Sequence, residues 1–208
     1  GWPSWAFENH DAPRAVSRWC APEHRDAFAR MKLLLLACLR GNIILYQGEE
    51  LGLTQVDIPF EQLQDPEAIA NWPLTLSRDG ARTPMPWESE GEGGFGAATP
   101  WLPLGEENLA RSVAVQDADP ASLLALTREI IALRKASSAL RHGSAACQAD
   151  GALLRLERLS QGERVVCLFN LSPDPISVIK IPQGETLCSI NSVMPDVLGS
   201  YGALVVRV

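Results

Sequence analysis

A strand–helix–strand pattern in the first 46 residues constrains the fold of this chain more than any other feature. Apolar residues around Trp5 to Phe7 form a short strand-like segment, and Pro22-Glu23 then begins a helix whose apolar residues recur at three- and four-residue steps as far as Gly41. Asn42 to Tyr46 follows as a continuous apolar run, which is typical of a parallel strand buried on both faces. Two parallel strands joined through a helix form a right-handed crossover, the building block of α/β sheets and barrels.

Polar residues follow each of these two strands. Asn9, His10, Asp11 and Arg14 come after the first strand, and Gln47 to Gly52 come after the second. The carboxyl ends of parallel strands meet at one edge of a sheet, where α/β folds carry their sites. Asn, His and Asp also favour turns, because their side chains bond nearby backbone groups, and the residue types alone favour a plain turn here.

A long segment with little periodicity runs from Thr54 to about Leu109 and is rich in proline, glycine and tryptophan. Loops of this length inside a compact domain are more often functional than idle. The glycines between Glu90 and Gly96 do not match a phosphate-binding loop, because no Lys-Ser/Thr pair follows them and no strand precedes them. The tryptophans of this segment either offer flat apolar faces to sugar rings or, as is commoner, pin down the loop: Trp72, Trp87 and Trp101.

The rest of the chain predicts a helix followed by a small β domain. Apolar residues cover one face of a helix from Ala121 to about Ala136. Beyond Gly143, short alternating segments separated by Gly, Pro, Asp and Ser indicate an antiparallel sheet. We therefore expect an α/β domain over residues 1–143, with a long functional loop over residues 54–109, and an antiparallel β domain over residues 144–208. The predicted strands are Leu153 to Leu159, Arg164 to Asn170, Ile176 to Ile181, Thr186 to Ile190 and Ala203 to Val208.

Charge, cysteine content and hydropathy argue against several kinds of partner. The 208 residues carry a formal charge of −7, and no basic stripe is present to neutralise phosphates, so nucleic acid is not expected as a partner. Five scattered cysteines without a Cys-x-x-Cys pair indicate neither disulfides nor a metal site, and they suit a reducing, cytoplasmic location. The apolar run from Leu33 to Tyr46 is interrupted by polar residues and is too short for a membrane span. No cofactor and no membrane partner are expected.

Five motifs occur in order along the chain: Phe7-Glu8-Asn9-His10-Asp11, Tyr46 to Gly52, Arg78 to Met85, Gly94-Phe95 and Pro100 to Pro103. As an ordered set they resemble the C-terminal third of an α-glucosidase of glycoside hydrolase family 13, in its oligo-1,6-glucosidase and bacterial α-glucosidase branch. The resemblance extends over essentially the whole chain. It implies that the two strands are the seventh and eighth of a (β/α)8 barrel, and that a small antiparallel β-sandwich domain follows the barrel.

The resemblance also implies roles for individual residues. In the family, the histidine of Phe-x-Asn-His-Asp binds sugar hydroxyls and the aspartate stabilises the transition state, which assigns His10 to substrate binding and Asp11 to catalysis. Such a carboxylate suits an oxocarbenium-like transition state, because hydrogen bonds to the 2-hydroxyl strengthen as charge develops. Arg14 matches an arginine near the pocket floor and is expected to bind substrate, whereas Glu8 occupies a variable position of the motif. We expect four further charged residues to hold loops in place beside the pocket: Glu49, Glu50, Arg78 and Arg82.

The two reacting carboxylates of a retaining glycosidase are not found in this sequence. Such an enzyme needs a nucleophile and an acid/base about 5 to 5.5 Å apart. In the family the nucleophile lies in a Gly-x-Arg-x-Asp strand, a motif that the 208 residues do not contain. The chain also begins at Gly1 and enters a strand-like segment within four residues. We therefore expect a part of an α-glucosidase acting on α-glucoside oligosaccharides, with the N-terminal part of the barrel as its partner and no activity alone.

Two alternatives share these motifs. A glucosyl-transferring relative, such as a trehalose synthase or a sucrose isomerase, differs in how well water is kept from the glucosyl-enzyme. A non-catalytic relative that serves as a binding module has no need of an intact Asn9-His10-Asp11 together with Arg14, so the presence of these residues favours an enzyme.

Overall fold

The computed structural model describes residues 1–75, 77–96, 99–194 and 196–208, and shows an α/β chain with an antiparallel sheet. The helices are α1 Ala15–Arg18, α2 Arg25–Cys38, α3 Pro66–Asn71, α4 Glu106–Ala110, α5 Val113–Asp117, α6 Leu123–Ala136 and α7 Ser138–His142. The strands are β1 Ser4–Trp5, β2 Asn42–Ile43, β3 Ser144–Asp150, β4 Leu153–Ser160, β5 Glu163–Asn170, β6 Ile176–Ser177, β7 Glu185–Met194 and β8 Val197–Arg207.

The first two strands pair in parallel and are joined through α2, as the strand–helix–strand pattern predicts. Ser4 pairs with Asn42, and Trp5 pairs with Ile43. A 3₁₀ turn over Pro22–His24 precedes α2, which ends at Cys38, short of the predicted end. Gly41 is needed before β2, because its φ is +130° and a Cβ there would lie 2.3 Å from the carbonyl oxygen of Pro3.

The prediction that the second strand extends to Tyr46 and is buried on both faces is wrong. Pairing ends at Ile43, and the side chain of Ile44 is 53% exposed. Within the described ranges β2 has only β1 as a paired strand, so it lacks the second neighbouring strand that it would have inside a larger parallel sheet.

The six remaining strands form one antiparallel sheet in the order β3-β4-β5-β8-β6, with β7 paired to β8. β5 is the most buried of them, and its Val166 and Leu168 pack with Val178 and Leu198 in an apolar core. β3 was not predicted, because all seven of its residues are exposed and its sequence lacks alternation. β6 is much shorter than expected, whereas β7 and β8 are longer.

The chain divides into two compact units. The sheet unit comprises residues 1–6, 26–44 and 126–208, and the loop unit comprises residues 7–25 and 45–125. In the sheet unit the fully buried Arg158 donates to the carbonyl oxygens of Cys38, at 2.7 Å, and of Gly143 and Ser144, both at 3.0 Å. The guanidinium thereby ties the end of α2 to the start of the antiparallel sheet.

The loop unit contains the segment that shows little periodicity in the sequence. It is built from short helices and 3₁₀ turns around an apolar cluster of Leu51, Leu53 and Leu124. The buried side chain of Asn108 accepts from the backbone N–H of Thr54 at 2.8 Å and donates to the Thr54 carbonyl at 3.1 Å. Such reciprocal contacts order a segment that local propensity leaves undefined. No helix within the described ranges combines the length and the apolar character that crossing a membrane requires.

Candidate active site

Asn9, His10 and Asp11 form a turn that points two polar side chains outward. The backbone N–H of Asp11 donates to Oδ1 of Asn9 at 2.8 Å, the hydrogen bond of an Asx turn. The turn that the residue types favour is therefore present, and it does not exclude a site. Nε2 of His10 lies 3.3 Å from Oδ2 of Asp11, and the two side chains are 65% and 53% exposed. An imidazole and a carboxylate are thus presented together, open to a ligand.

Two arginines from the later part of the loop unit hold the carboxylate of Asp11. Nη2 of Arg82 donates to Oδ1 of Asp11 at 3.0 Å, and Nε of Arg82 donates to the His10 carbonyl at 2.8 Å. Nη1 of Arg78 approaches the same carboxylate oxygen at 3.4 Å. We expected both arginines to hold loops in place. They also hold the side chain of Asp11, the predicted catalytic residue.

Arg78 is itself fixed by a buried aspartate. The carboxylate of Asp65 accepts a hydrogen bond from Nε of Arg78 at 2.8 Å and one from Nη2 at 2.5 Å. These two hydrogen bonds fix the orientation of the guanidinium group. These hydrogen bonds hold the pKa of the Asp65 carboxyl well below its usual range, and the same contact raises the pKa of Arg78. Asp65 also caps α3 by accepting from the Glu67 N–H, and Asp79 accepts from the Asp65 N–H at 2.9 Å.

Arg14 is buried within this chain. Its side chain is 1% exposed, and its Nη1 donates to Oε2 of Glu8 at 3.1 Å and to the Gln47 carbonyl at 2.8 Å. The guanidinium also lies over the Tyr46 ring, 4.5 Å from the centroid. Within this chain Arg14 therefore joins the segments that follow the two parallel strands, and its expected role in substrate binding stays a prediction.

Glu8 is a structural residue that the motif did not identify. It is 2% exposed, pairs with Arg14, and accepts from the backbone N–H of Ala15 at 3.2 Å. A buried carboxylate is stable only when it is paired and hydrogen-bonded. In the sequence, the only indication of this pair is an acidic residue six positions before an arginine. That spacing is too common to predict a buried ion pair.

Glu49 holds the turn after the second parallel strand, in agreement with the structural role expected for it. Oε2 of Glu49 accepts from the Tyr46 N–H at 3.2 Å, and the Glu49 side chain is buried. Gly48 has a φ of +85°, and a Cβ there would lie 2.3 Å from a methyl group of Leu53. This turn therefore supplies a fixed backbone beside Arg14.

The three tryptophans of the long segment are half exposed, which does not fit a simple pinning role. Trp87 and Trp101 line a cavity of about 590 Å³, whereas Trp72 stacks obliquely on Phe60 with ring centroids 5.5 Å apart. Among the described residues no group of three or more His, Cys, Asp or Glu side chains is placed to hold a metal ion.

The chain is similar in sequence to a known family and to known proteins. Residues 1–143 match the family model of the α-amylase catalytic domain. A probable α-glucosidase of Rhizobium meliloti (strain 1021) is 48% identical over 177 residues, which cover 84% of this chain and 32% of the relative. An oligo-1,6-glucosidase of Halalkalibacterium halodurans is 35% identical, with 81% of this chain and 34% of the relative covered. The chain thus spans about a third of the length of these relatives.

One solved structure extends the similarity to the whole chain. The α-glucosyl transfer enzyme XgtA is 42% identical and superposes with a TM-score of 0.89. The alignment covers 100% of this chain and 40% of that enzyme. The similarity therefore extends beyond the matched domain into the antiparallel sheet.

Proposed function

Because the chain belongs to the α-amylase catalytic-domain family, we propose that it supplies the side of a retaining α-glucosidase site that stabilises the transition state. The observation that carries the proposal is the Asp11 carboxylate, exposed beside His10 and held by Arg82. The substrates are α-glucoside oligosaccharides, and the reaction cleaves a terminal α-glucosidic bond with retention. The relatives at 48% and 35% identity support this substrate class.

In this proposal Asp11 and His10 act on the sugar whose bond is cleaved. Asp11 accepts a hydrogen bond from a ring hydroxyl next to the reacting carbon, and that bond strengthens as positive charge develops on the ring. His10 binds a neighbouring hydroxyl. Arg82 holds the carboxylate through Nη2 and the His10 carbonyl through Nε, so little reorganisation is needed when the charge appears.

The nucleophile and the acid/base belong, in this proposal, to a protein of the relatives' full length. The sequence of 208 residues contains no Gly-x-Arg-x-Asp motif, and it matches only about a third of the length of the relatives. The chain alone is therefore inactive. Arg14 is assigned a positioning role, because its buried guanidinium fixes the segment that carries Asp11.

We also propose that β1 and β2 are the seventh and eighth strands of a (β/α)8 barrel, and that residues 144–208 form a β-sandwich domain after it. The parallel pairing of β1 with β2 supports the first part. The end of the matched family domain at residue 143 and the antiparallel sheet that begins at Ser144 support the second.

Glucosyl transfer is the second candidate function. It is favoured by the similarity to an α-glucosyl transfer enzyme at 42% identity. The same two side chains would serve either reaction, since both proceed through the same type of transition state. The two differ in whether water or a sugar hydroxyl accepts the glucosyl group.

Two proteins test the proposal. One is the isolated chain, and the other is a chimera in which the 208 residues replace the matching stretch of the Rhizobium meliloti relative. With p-nitrophenyl α-glucoside we expect no turnover by the chain and saturable turnover by the chimera, with the α-anomer of glucose released first. Saturable turnover by the isolated chain would overturn the proposal. Product analysis with maltose as substrate separates hydrolysis from transfer.

A further inference from the structure

A basic cavity lies in the sheet unit, beside the last turn of α7 and the start of β2. Its volume is about 310 Å³, at the small end of the range for small-molecule sites. Its walls include the side chains of Arg134, Arg141 and His142, together with Trp2 and Asn42. Among the described residues that line it, none is acidic. The cavity therefore presents positive charge to a ligand that enters it.

The two arginines that line the cavity contact carbonyl oxygens and no carboxylate. Arg134 donates through Nη1 to the Leu39 carbonyl at 3.0 Å and through Nη2 to the Gly41 carbonyl at 2.5 Å. Arg141 makes a long hydrogen bond of 3.4 Å to the Lys135 carbonyl. Within the part of the chain that the structure describes, neither guanidinium forms an ion pair. The partial charges of these carbonyl oxygens offset only part of a unit charge, so most of the positive charge is left uncompensated.

Two further arginines add positive charge around the cavity. The guanidinium of Arg40 lies over the Trp2 ring, 4.6 Å from its centroid. Burial lowers the pKa of Arg158, and the charges of Arg134 and Arg40 lower it further, so these guanidiniums are close enough to repel one another. The whole chain has 25 acidic side chains against 18 lysines and arginines, so the lack of a carboxylate at this place does not follow from composition. A bound anion would relieve the repulsion.

We propose that this cavity binds a phosphate group, carried by inorganic phosphate or by a small phosphomonoester. The planar fork of a guanidinium matches the geometry of phosphate oxygens, and the His142 imidazole adds an N–H donor. A dianion interacts with several neighbouring guanidiniums more strongly than a single carboxylate does. The cations are confined to one cavity of a chain with net charge −7, so a polynucleotide does not suit them. The proposal does not depend on α-glucosidase activity.

Titration of the isolated chain with inorganic phosphate at near-neutral pH and low salt, followed by calorimetry and by phosphorus NMR, tests the proposal. We expect saturable binding, and we expect Arg141→Gln to weaken the affinity at least about tenfold, because it removes a charged donor. Arg164→Gln is the matched control. It removes the same charge from another exposed arginine of the sheet unit, one that pairs with Glu157, and it should change the affinity less than about twofold.

A second variant and a second protein make the test independent of any one substitution. His142→Gln, at another exposed position of the cavity, should also weaken phosphate binding. Circular dichroism establishes that each variant folds. The chimera with the Rhizobium meliloti relative should bind phosphate as tightly as the isolated chain does. Loss of binding in the chimera would show that the rest of the protein fills or neutralises the cavity, and would overturn the site.

The remaining outcomes decide between ligands. Absence of saturable binding by the unchanged chain, or equal losses in Arg141→Gln and Arg164→Gln, overturns the site. Acetate that binds as tightly as phosphate overturns the assignment to phosphate. Tighter binding of phenyl phosphate than of inorganic phosphate supports the site and assigns it to a phosphomonoester, whereas the reverse order supports the site and assigns it to inorganic phosphate. These readouts measure binding alone, so their failure is distinguishable from a failure of the proposed function.

Discussion

Nη2 of Arg82 lies 3.0 Å from Oδ1 of Asp11, across 71 positions of sequence. The same guanidinium donates through Nε to the carbonyl of His10, so it contacts both residues of the outward-facing pair. The orientation of the proposed transition-state carboxylate thus depends on a residue of the long segment, and not on the motif alone.

Replacing Arg82 with alanine should impair catalysis without unfolding the protein. The carboxylate of Asp11 loses its main donor, and misplacement by about 1 Å can cost 10²-fold in rate, so we expect kcat of the chimera to fall about tenfold to a hundredfold. Arg25→Ala is the control, since Arg25 and Arg82 are 21% and 20% exposed and Arg25 pairs with Glu107 instead. Equal rates in the two variants would contradict the role of Arg82.

Glu8→Ala should strongly destabilise the loop unit. The change leaves the buried guanidinium of Arg14 without its carboxylate, and breaking a buried pair costs about 3 kcal/mol or more. Glu107→Ala removes a half-exposed carboxylate that pairs with Arg25 and Arg111, and it should cost about 1 kcal/mol or less. Urea unfolding followed by tryptophan fluorescence measures both, because four of the six tryptophans lie in the loop unit. A cost for Glu8→Ala no greater than the control would show that the pair is not buried in solution.

The contact between Asp65 and Arg78 should make stability depend on pH in one direction. Hydrogen bonds from Arg78 lower the pKa of Asp65 in the folded state, so the stabilisation is complete above the unfolded value of about 3.9 and is lost as pH falls below it. Asp65→Asn keeps a capping oxygen for α3 but removes the charge. The difference in unfolding free energy between chain and variant should be constant from pH 7 to 5 and shrink toward pH 3. A constant difference over the whole range would contradict this.

The cysteines should differ sharply in reactivity at pH 8. Burial raises the pKa of the Cys188 thiol to about 11, and Cys38 and Cys167 are buried. Cys147 lies exposed on β3. Mass spectrometry after a short iodoacetamide pulse should find Cys147 modified, with Cys38, Cys167 and Cys188 largely protected until denaturant is added. Rapid labelling of Cys188 would indicate that the antiparallel sheet is loosely packed.

Much of the fold follows from local sequence patterns. The parallel pair, its connecting helix, the helix that ends at Ala136 and most of the antiparallel strands follow from periodicity and turn residues. The exposed strand β3 could not be predicted, because strands are recognised by an apolar face and β3 has none. The extent of β2 was overestimated, because an apolar run does not reveal how many neighbours will cover it.

The site was only partly predictable for a different reason. His10 and Asp11 occupy a recognisable motif, and the structure presents them together. Their contacts to Arg82 and Arg78 join residues far apart in sequence, and nothing local to either arginine indicates its partner. Arg14 matched a motif position, yet its buried partner Glu8 decides where its side chain lies.

Asp11→Asn in the chimera tests the central claim most directly. Asparagine keeps the size of the side chain, and the Asx turn, which uses the backbone N–H of Asp11, is unaffected. The change removes the charge that opposes the developing cation, so kcat should fall by about 10²-fold or more, with KM changed far less and the fold intact. Asp26→Asn, which alters a carboxylate in the first turn of α2, should leave kcat unchanged. If the Asp11→Asn chimera hydrolysed p-nitrophenyl α-glucoside as fast as the parent chimera, Asp11 would not stabilise the transition state and the proposed function would be wrong.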